Sequence, residues 1–342
     1  MRLDRRALLL SVAGAGLLVA CGCAGPASGA AARERWSAVK AAYLLPEGRI
    51  VDTGNGGVSH SEGQGYGMLL AAAAGDEPAF TAMEEWTRRN LARADLALHS
   101  WRYDPASATP VADPNNATDG DILIAAALLL AGRQWDRPVY LERSAQIRAA
   151  ILEHLAVERH GLEVLLPGLV GFDVDGLTTL NPAYYVWPAL DAFRKEDGEE
   201  AWGRLIRDGE AILDRALVGP LSLPPDWVEV LPGAHVRPAE GRPPRFGFEA
   251  VRVPLYLALS GRTEQAAPFA RFWRSYLERD MAIPAWIDLR TAETAPYPLS
   301  NGALEIVARV TGASVAAQQN PARQEDYYSA ILGALAALPP FD

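Results

Sequence analysis

Eleven segments of this chain carry apolar residues at the spacing of an α-helix, and this recurrence limits the fold more than any other feature of the sequence. Glycine and proline separate the segments, and few stretches alternate apolar with polar residues as half-buried strands do. The pattern therefore argues against a doubly wound sheet and for an all-α fold. It predicts helices over residues 33–44, 62–75, 77–93, 119–134, 138–157, 182–195, 198–217, 247–260, 264–279, 300–311 and 324–338.

Short connections between these segments favour antiparallel helix pairs, whose number suits a closed ring of hairpins as well as a bundle. The segments Met68–Ala74 and Ile122–Ala131 are apolar on nearly all sides, which predicts inner helices covered by neighbours. Residues 77–93 and 198–217 carry charged faces and are expected in an outer layer. The ends of the inner helices, with the loops that join them, would then line a cleft.

A chain of 342 residues can bury a large core. No charge run or polar low-complexity tract divides it after residue 35, so we expect a single domain over residues 33–342. The net charge of −10 argues against nucleic acid and anionic lipid as partners. It is compatible with a neutral or a cationic glycan.

The first residues have the pattern of a bacterial export signal. Arg2, Arg5 and Arg6 precede an apolar run, Ala7–Ala20, that is too short to span a membrane comfortably. The paired arginines also allow a twin-arginine signal. We predict a signal over residues 1–21 and an exported protein, which is either periplasmic or secreted.

Lipid attachment is predicted at Cys21, because Leu18–Cys21 resembles the lipobox of bacterial lipoproteins; a plain signal cleaved nearby is the alternative. The lipid would then be the protein's contact with a membrane. Cys21 and Cys23 are the only cysteines of the sequence, so no other disulfide is available to the domain. Residues 22–32, rich in glycine, alanine, proline and serine, are predicted to form a flexible tether.

Two acidic residues lie where predicted helices begin. Glu62 occupies the first turn in Ser61–Met68 (SEGQGYGM), and Asp119 takes the corresponding place in Ala117–Trp135 (ATDGDILIAAALLLAGRQW), two residues before Asp121. An acid in a first turn often does no more than complement the helix dipole. In a helical chain rich in aromatic residues and poor in metal ligands, two such acids point to acid–base chemistry on a neutral sugar polymer.

The residues around these acids suggest how they are presented. Ser61 with Gln64, and Thr118 with Asp121, have the spacing of a capping box. Glycines at positions 63, 65 and 67 leave little side-chain bulk around Glu62, so we expect a substrate backbone to approach there.

The protonation of Glu62 poses a conflict. A helix N-terminus lowers the pKa of a carboxyl group, whereas a general acid must hold its proton near neutral pH. A neighbouring carboxylate, or desolvation under a bound sugar, would raise that pKa again. We therefore predict that Asp119 lies near Glu62, is ionised, and raises the proton affinity of Glu62.

The two motifs resemble the hallmark sequences of glycoside hydrolase family 8, the bacterial cellulases. The second fits the form ATDGD-x-x-IA-x-A-LL-x-A-x-x-x-W at every position through Trp135. A third element, an acid three residues before an arginine at a helix start, is present in Phe246–Gly261 (FGFEAVRVPLYLALSG). The likeness covers nearly all of the chain after residue 35 and is closest to the periplasmic endoglucanases that accompany bacterial cellulose synthesis.

The resemblance implies an (α/α)6 barrel of six helix hairpins with a substrate cleft at one end. It implies endo-acting, inverting hydrolysis of β-1,4-glucan, with a polysaccharide and the cellulose synthase machinery as partners. Glu62 matches the general acid of the family. Asp119 matches an aspartate that binds the distorted sugar and positions water, and Arg252 matches an arginine that orients the base.

The third motif departs from the family pattern. The usual base is an aspartate, often after a tyrosine, whereas this chain has Phe248 and Glu249, one methylene longer. A displacement of about 1 Å in catalytic geometry can cost on the order of a hundredfold in rate. Glu249 is our candidate base; Asp226 or Glu229 of the proline-rich segment 219–246 is an alternative. A third reading is a glycan-binding relative without activity, and hydrolysis of chitosan, xylan or mixed-linkage glucan is a fourth.

Aromatic side chains are expected along the cleft, because they bind the apolar faces of sugars. We predict that Trp86, Trp202 and Trp273, on amphipathic helices, belong to the core. The candidates for substrate binding, beside Phe248 and Arg252, are Tyr66, Trp101, Tyr103, Tyr184, Tyr185, Trp227 and Tyr328.

Nothing in the sequence indicates a cofactor. The histidines show no metal-ligand spacing, and neither a phosphate loop nor a nucleophile elbow occurs, so no metal or nucleotide is expected. His60 adjoins Ser61 and is a candidate support for the first motif. The segment 219–246 is predicted to be a stiff, irregular loop because of its seven prolines.

Overall fold

The structure is a computed structural model that describes residues 26–320 and 325–339. This part of the chain contains eleven α-helices, and each coincides with one of the helices predicted from the sequence. The helices are α1 (Pro26–Tyr43), α2 (Ser61–Ala74), α3 (Glu77–Asn90), α4 (Thr118–Gln134), α5 (Pro138–His154), α6 (Trp187–Asp197), α7 (Glu199–Ala216), α8 (Arg252–Leu259), α9 (Thr263–Leu277), α10 (Asn301–Thr311) and α11 (Tyr327–Ala336).

Three helix starts differ from the expectation by five residues or more: α8 begins at Arg252 instead of residue 247, because residues 247–251 form a turn, and α1 and α6 also differ. Helix α1 begins at Pro26, so residues 26–32 of the predicted tether are helical. Helix α6 begins at Trp187, because a short 3-10 turn (Pro182–Tyr184) precedes it and Asn181 caps that turn. The predicted export signal and Cys21 lie outside the described residues.

Six helices form a closed inner ring. Helices α2, α4, α6, α8 and α10 each contact the next in that order, α10 contacts α11, and α11 returns to α2. Helices α1, α3, α5, α7 and α9 pack around them. This arrangement confirms the (α/α)6 barrel that the resemblance implied.

The inner helices are buried because their sequences are apolar around most of their circumference. Helix α2 is buried at nearly every position from Ser61 to Ala72, whereas the outer helix α7 buries one face only. Neighbouring inner helices also approach closely: a Cβ at Gly65 would lie 2.6 Å from Cβ of Leu123 in α4. The core predictions for Trp86, Trp202 and Trp273 are confirmed, since each is less than 5% exposed.

In the part of the chain that the structure describes, ten short strands occur in the connections between helices, and the helical pattern of the sequence did not predict them. Strands β5 to β8 form one four-stranded antiparallel sheet, in which Leu180 pairs with Val228 and Val230 with Val236. The strands are β1 (Ser59–His60), β2 (Arg102–Tyr103), β3 (Ala156–Arg159), β4 (Leu162–Leu165), β5 (Asp173–Val174), β6 (Leu177–Leu180), β7 (Val228–Leu231), β8 (His235–Pro238), β9 (Arg245–Phe246) and β10 (Ile287–Asp288).

The proline-rich segment 219–246 is therefore not irregular throughout, as predicted, but supplies β7, β8 and β9. Its valines pack into the core from β7, and its prolines fall mostly between strands, where no ladder hydrogen bond is lost. Within residues 26–320 and 325–339, no helix combines the length and the apolar character needed to cross a bilayer.

Candidate active site

The N-terminal ends of the inner helices meet at one end of the barrel and bring the predicted acids together. Glu62 and Asp119 are the second residues of α2 and α4, and Arg252 is the first residue of α8. Glu249 lies in the turn that leads into α8. All three acids contact Arg252, so four residues from distant parts of the sequence form one cluster.

Arg252 is the centre of this cluster and is only 2% exposed. Its Nη1 donates to Oε1 of Glu62, to the hydroxyl of Tyr66 (3.0 Å) and to Oδ2 of Asp119 (3.2 Å). Its Nη2 donates to Oε2 of Glu249. One guanidinium cannot neutralise three carboxylates, so the cluster favours the retention of protons.

The three carboxyl groups differ in their access to solvent. The side chains of Glu62 and Glu249 are 25% and 35% exposed, whereas that of Asp119 is 3% exposed. The two glutamates therefore face the space in which a substrate would lie, and Asp119 lies on the buried side of the cluster. Because different nitrogens of Arg252 hold Glu62 and Glu249, a guanidinium separates the two glutamates.

Gly120 allows the first turns of α2 and α4 to touch. A Cβ at this position would lie 2.2 Å from Oγ of Ser61 and 2.7 Å from the amide nitrogen of Glu62. Distances this short are not tolerated, so only glycine fits here. The glycine between Asp119 and Asp121 thus brings Asp119 alongside Glu62, as the sequence predicted.

The other glycines of the first motif have a different role from the one expected. A Cβ would lie 2.4 Å from the hydroxyl of Tyr327 at Gly63, and 2.7 Å from Sδ of Met83 at Gly67. All three glycines at 63, 65 and 67 are buried. The prediction that they admit a substrate backbone is therefore wrong: they let neighbouring elements pack against α2.

The predicted capping boxes are also absent. The residues before the helices, His60 and Ala117, make no side-chain cap. Instead, Oε1 of Gln64 accepts from the N–H of Ile50 (2.6 Å), and Oγ1 of Thr118 donates to the carbonyl of Leu166 (2.6 Å). These side chains fasten connecting segments to the barrel.

Asp121 does not belong to the cluster. Its Oδ1 accepts from the backbone N–H of His99 and lies 2.9 Å from Nδ1 of that ring, while its Oδ2 accepts from Nδ2 of Asn116 (2.9 Å). It is fully buried and holds the connection between α3 and α4 in place.

The proton affinities of the cluster follow from burial. Burial raises the pKa of Asp119 well above its usual range, and the charge of Glu249 raises it further, whereas the N–H of Gly120 opposes the shift. The raised pKa of Asp119 runs against the ionised state that the sequence predicted, because the shared guanidinium does not replace the lost hydration. The raised proton affinity predicted for Glu62 stays a prediction.

Glu249 shows the same effect. Burial, followed by the charge of Asp226, raises the pKa of Glu249 to about 7, while a hydrogen bond from Asn181 and the charge of Arg242 oppose the shift. A carboxyl group that titrates near neutrality can gain and lose a proton in the working pH range. Glu249 therefore has the chemistry that a general base requires.

Two residues of the site were missed as functional candidates. Asn181 donates from Nδ2 to Oε2 of Glu249 (3.0 Å) and accepts from the N–H of Ala183 (2.9 Å), so it ties the candidate base to the turn before α6. The hydroxyl of Tyr256, in α8, lies 2.8 Å from that of Tyr66. No local pattern in the sequence indicates either role.

Tyr66 and Tyr185 are both buried and cannot stack on a sugar. The hydroxyl of Tyr66 donates to Oε1 of Glu62 (3.2 Å), so it holds that carboxyl group from the buried side of the cluster. The ring of Tyr185 packs on Trp187, and its hydroxyl accepts from the N–H of Leu165 (3.1 Å). The prediction of Tyr185 as a binding residue is wrong, because it faces the core.

One group of aromatic residues flanks the first acid. The carbonyl of Trp101 accepts from the N–H of Ser61 (3.0 Å), and its ring stacks on His60, with 5.8 Å between centroids. His60 thus supports the start of the first motif, the role for which it was a candidate. Tyr103 is paired with Ser59 across β1 and β2, and its ring lies nearly perpendicular to that of Trp86, with 5.1 Å between centroids.

A second group lies beside Glu249. Tyr184 and Trp227 have ring centroids 6.1 Å apart, and burial raises the pKa of the Tyr184 hydroxyl, with Asp119 and Glu249 adding to the shift. The sheet accounts for this proximity, because the pairing of β6 with β7 sets the residues after β6 beside those before β7.

Phe248 is 53% exposed and stands between two pockets, of about 170 and 240 Å³. Tyr328 lines the first and donates from its hydroxyl to the carbonyl of Phe248 (2.6 Å). Trp227 lines the second, where the guanidinium of Arg242 lies 4.0 Å from its ring centroid. These residues extend the cleft past the carboxyl cluster.

The alternative bases are placed unequally. Glu229 is buried on β7, where it accepts from Arg237 (2.9 Å) and from the N–H of Glu240 (2.7 Å), away from the cluster. Asp226 lies next to Glu249, but its Oδ1 is occupied by backbone N–H groups. Among the residues described, no group of three or more His, Cys, Asp or Glu is arranged to hold a metal ion.

A helical barrel whose cleft holds two partly exposed glutamates on one arginine, flanked by aromatic rings, has the parts of a glycoside hydrolase. The sequence model of glycosyl hydrolases family 8 matches residues 13–339, and the chain belongs to that family. The resemblance inferred from the motifs is thereby confirmed.

Individual relatives agree with this assignment. The chain is 41% identical to an endoglucanase of Cellulomonas uda, over 80% of this chain and 76% of that protein. It is 41% identical to a probable endoglucanase of Novacetimonas hansenii, over 95% of each. The crystal structure of endo-β-1,4-glucanase CMCax from Acetobacter xylinum superposes with a TM-score of 0.85 and 39% identity, over 91% of this chain and 98% of that one.

Proposed function

We propose that this chain is an endo-acting, inverting hydrolase of β-1,4-glucan in which Glu62 is the general acid and Glu249 the general base. The observation that carries the proposal is the single guanidinium of Arg252, which holds Glu62 on one nitrogen and Glu249 on the other. The relatives named endoglucanases support the substrate class.

The reaction needs two carboxyl groups in opposite protonation states on opposite sides of a glycosidic bond. Glu62 donates its proton to the leaving oxygen. Glu249 takes a proton from water as that water attacks the anomeric carbon from the other face, which inverts the configuration. Inverting enzymes keep the two groups roughly 6.5–9.5 Å apart so that the water fits between sugar and base.

Asp119 and Arg252 assist the two proton transfers from the buried side of the cluster. Asp119 shares one nitrogen of Arg252 with Glu62, where its carboxyl group would hydrogen-bond the distorted sugar at the cleavage point and help to position the water. Arg252 keeps the glutamates in place through hydrogen bonds to each. Trp101, Tyr184, Trp227 and Phe248 supply apolar surface on which sugar rings can stack.

We further propose that the protein is exported, that Cys21 carries a lipid, and that the enzyme serves the cellulose synthase machinery. The export signal and the lipobox-like Leu18–Cys21 support the first two points. The resemblance to endoglucanases of cellulose synthesis supports the third. Detergent partition and membrane fractionation of the full chain, beside Cys21→Ala, test the anchor: both forms in the soluble periplasmic fraction would contradict it.

The decisive test of the hydrolase is viscosity and reducing-end release from carboxymethylcellulose by the chain from residue 26 onward. We expect rapid loss of viscosity, and Glu62→Gln and Glu249→Gln should each lose at least about a hundredfold in kcat. The matched control is Glu77→Gln: Glu77 is also in a first helical turn, pairs with Arg137 and is 34% exposed, but lies outside the site. It should keep full activity.

NMR of the first product should show the inverted, α-configured anomer. If the wild-type chain binds cellulose, chitosan or xylan but cuts none of them, the proposed hydrolase is wrong and the protein is a glycan-binding relative without activity.

A further inference from the structure

Asp226, which the reaction does not use directly, is bound to the turn that carries Glu249. Its Oδ1 accepts from the backbone N–H groups of Gly247 (3.1 Å), Glu249 (3.2 Å) and Ala250 (2.8 Å). Its own N–H donates to the carbonyl of Arg245 (2.7 Å). A side chain from the loop before β7 thus satisfies three N–H groups of one turn.

The turn depends on this side chain because it lacks other caps. Helix α8, which begins at Arg252, has no side-chain cap at Val251. Inside the turn, only the N–H groups of Val251 and Arg252 reach carbonyls, those of Gly247 (3.0 Å) and Glu249 (3.1 Å). The remaining N–H groups at the start of a helical turn need an external acceptor, and Asp226 supplies it.

The fit between Asp226 and the turn is close. A Cβ at Gly247 would lie 2.8 Å from Oδ2 of Asp226, so a larger residue there would push the carboxyl group away. On the opposite side of the turn, the carbonyl of Phe248 accepts from the hydroxyl of Tyr328. The backbone around Glu249 is therefore held from two sides.

Asp226 also acts on Glu249 through its charge. After burial, the charge of Asp226 is the largest cause that raises the pKa of Glu249. Burial likewise raises the pKa of Asp226 to about 6, against the three N–H donors and Arg245. The other titratable or charged groups that face this pair are Asp119 on α4, Tyr184 before α6, Arg242 in the loop after β8, Arg252 on α8 and Tyr328 on α11.

We propose that Asp226 is a positioning residue for the hydrolysis, because it fixes the turn that carries Glu249. The charge of Asp226 also opposes the ionisation of Glu249. The inference rests on the proposed role of Glu249 as the base. A glutamate has one more rotatable bond than an aspartate, so its carboxylate is placed only if the backbone beneath it is fixed. Asp226 is not itself the base, because its Oδ1 is occupied by the backbone N–H groups of this turn.

The test compares Asp226→Asn with Asp226→Ala. Asparagine keeps an acceptor oxygen but no charge, so the turn should hold and kcat at high pH should stay within about threefold of wild type. The acid limb of the kcat/KM profile should move to lower pH, by roughly half a unit to one unit, since Glu249 loses a repulsive neighbour. Alanine removes the acceptor, so kcat should fall about tenfold to a hundredfold with KM little changed.

The matched control is Asp288→Asn. Asp288 is a buried aspartate that accepts from two backbone N–H groups, those of Arg290 (3.0 Å) and Thr291 (2.8 Å), without taking part in the carboxyl cluster. It should leave the acid limb in place. Circular dichroism confirms that each variant folds.

Three results would overturn the inference. An unchanged acid limb in Asp226→Asn would remove the charge effect, and an unchanged kcat in Asp226→Ala would remove the positioning effect. If Asp226→Asn is as inactive as Glu249→Gln and azide restores it, Asp226 is the base itself. Titration of the Glu249 carboxyl group by ¹³C NMR measures its pKa in wild type and in Asp226→Asn without any substrate. The charge effect can therefore be tested even if the chain does not hydrolyse glucan.

Discussion

Gly120 lies against the backbone of Glu62 so closely that a methyl group at position 120 would stand 2.7 Å from the Glu62 amide nitrogen. The contact joins the first turns of two inner helices and sets the acid of one beside the acid of the other. Glu62 and Asp119 thus lie side by side because residue 120 has no side chain.

The variant Gly120→Ala should therefore damage the site more than the fold. Overpacking should cost about 1–3 kcal/mol of unfolding free energy, and separating the helices should lower kcat by about a hundredfold. Gly333→Ala is the control, since Gly333 is also in an inner helix and a Cβ there meets its nearest neighbour at an ordinary 3.4 Å. Chemical denaturation and the reducing-end assay measure the two effects; wild-type turnover in Gly120→Ala would contradict the account.

Arg252→Lys tests whether the forked shape of arginine is needed. Lysine keeps a positive charge but cannot hold Glu62 and Glu249 on two separate nitrogens. We expect kcat to fall by about a hundredfold or more while the chain stays folded. Arg262→Lys is the control, because Arg262 binds Asp191 and Glu210 in the same forked way outside the site. Equal activities of the two variants would show that charge alone suffices.

Glu249→Gln should stabilise the protein at alkaline pH. The pKa of Glu249 is raised from 4.5 to about 7 in the folded state, so its contribution to stability is complete below 4.5 and is lost as the pH rises through 7. Glutamine cannot ionise and escapes this loss. The melting temperature of the variant, relative to wild type, should thus be about 1–3 °C higher at pH 8 than at pH 4. A constant difference across this range would contradict the raised pKa.

Trp227→Ala should weaken binding without disturbing the chemistry. The ring of Trp227 lies in the cleft next to Tyr184 and under Arg242, so its loss should raise KM for long glucans about tenfold and leave kcat nearly unchanged. The contrast is Trp273→Ala, which empties a core site and should cost about 3–5 kcal/mol of stability instead. A loss of kcat with unchanged KM in Trp227→Ala would place Trp227 in the reaction.

Much of the architecture could be predicted because helices are local. The 3.6-residue periodicity identified all eleven helices of the described residues, and the apolar circumference of α2 and α4 predicted the inner layer. The strands of the described residues were not predicted because every one has only two to four residues, too few for an alternating pattern. Capping was predicted wrongly at α2 and α4, because tertiary partners such as Ile50 and Leu166 took the side chains that local rules assign to the helix.

The sequence by itself determined which residues can react: Glu62 and Asp119 at helix starts, and Glu249 three residues before Arg252, are read directly from local spacing. Only the tertiary structure decided how they work together. The closure of the ring puts three carboxyl groups around one guanidinium, the sheet brings Asn181 and Asp226 to Glu249, and burial raises the proton affinity of Glu249. These outcomes depend on contacts between segments up to 190 positions apart, and no local pattern encodes such contacts.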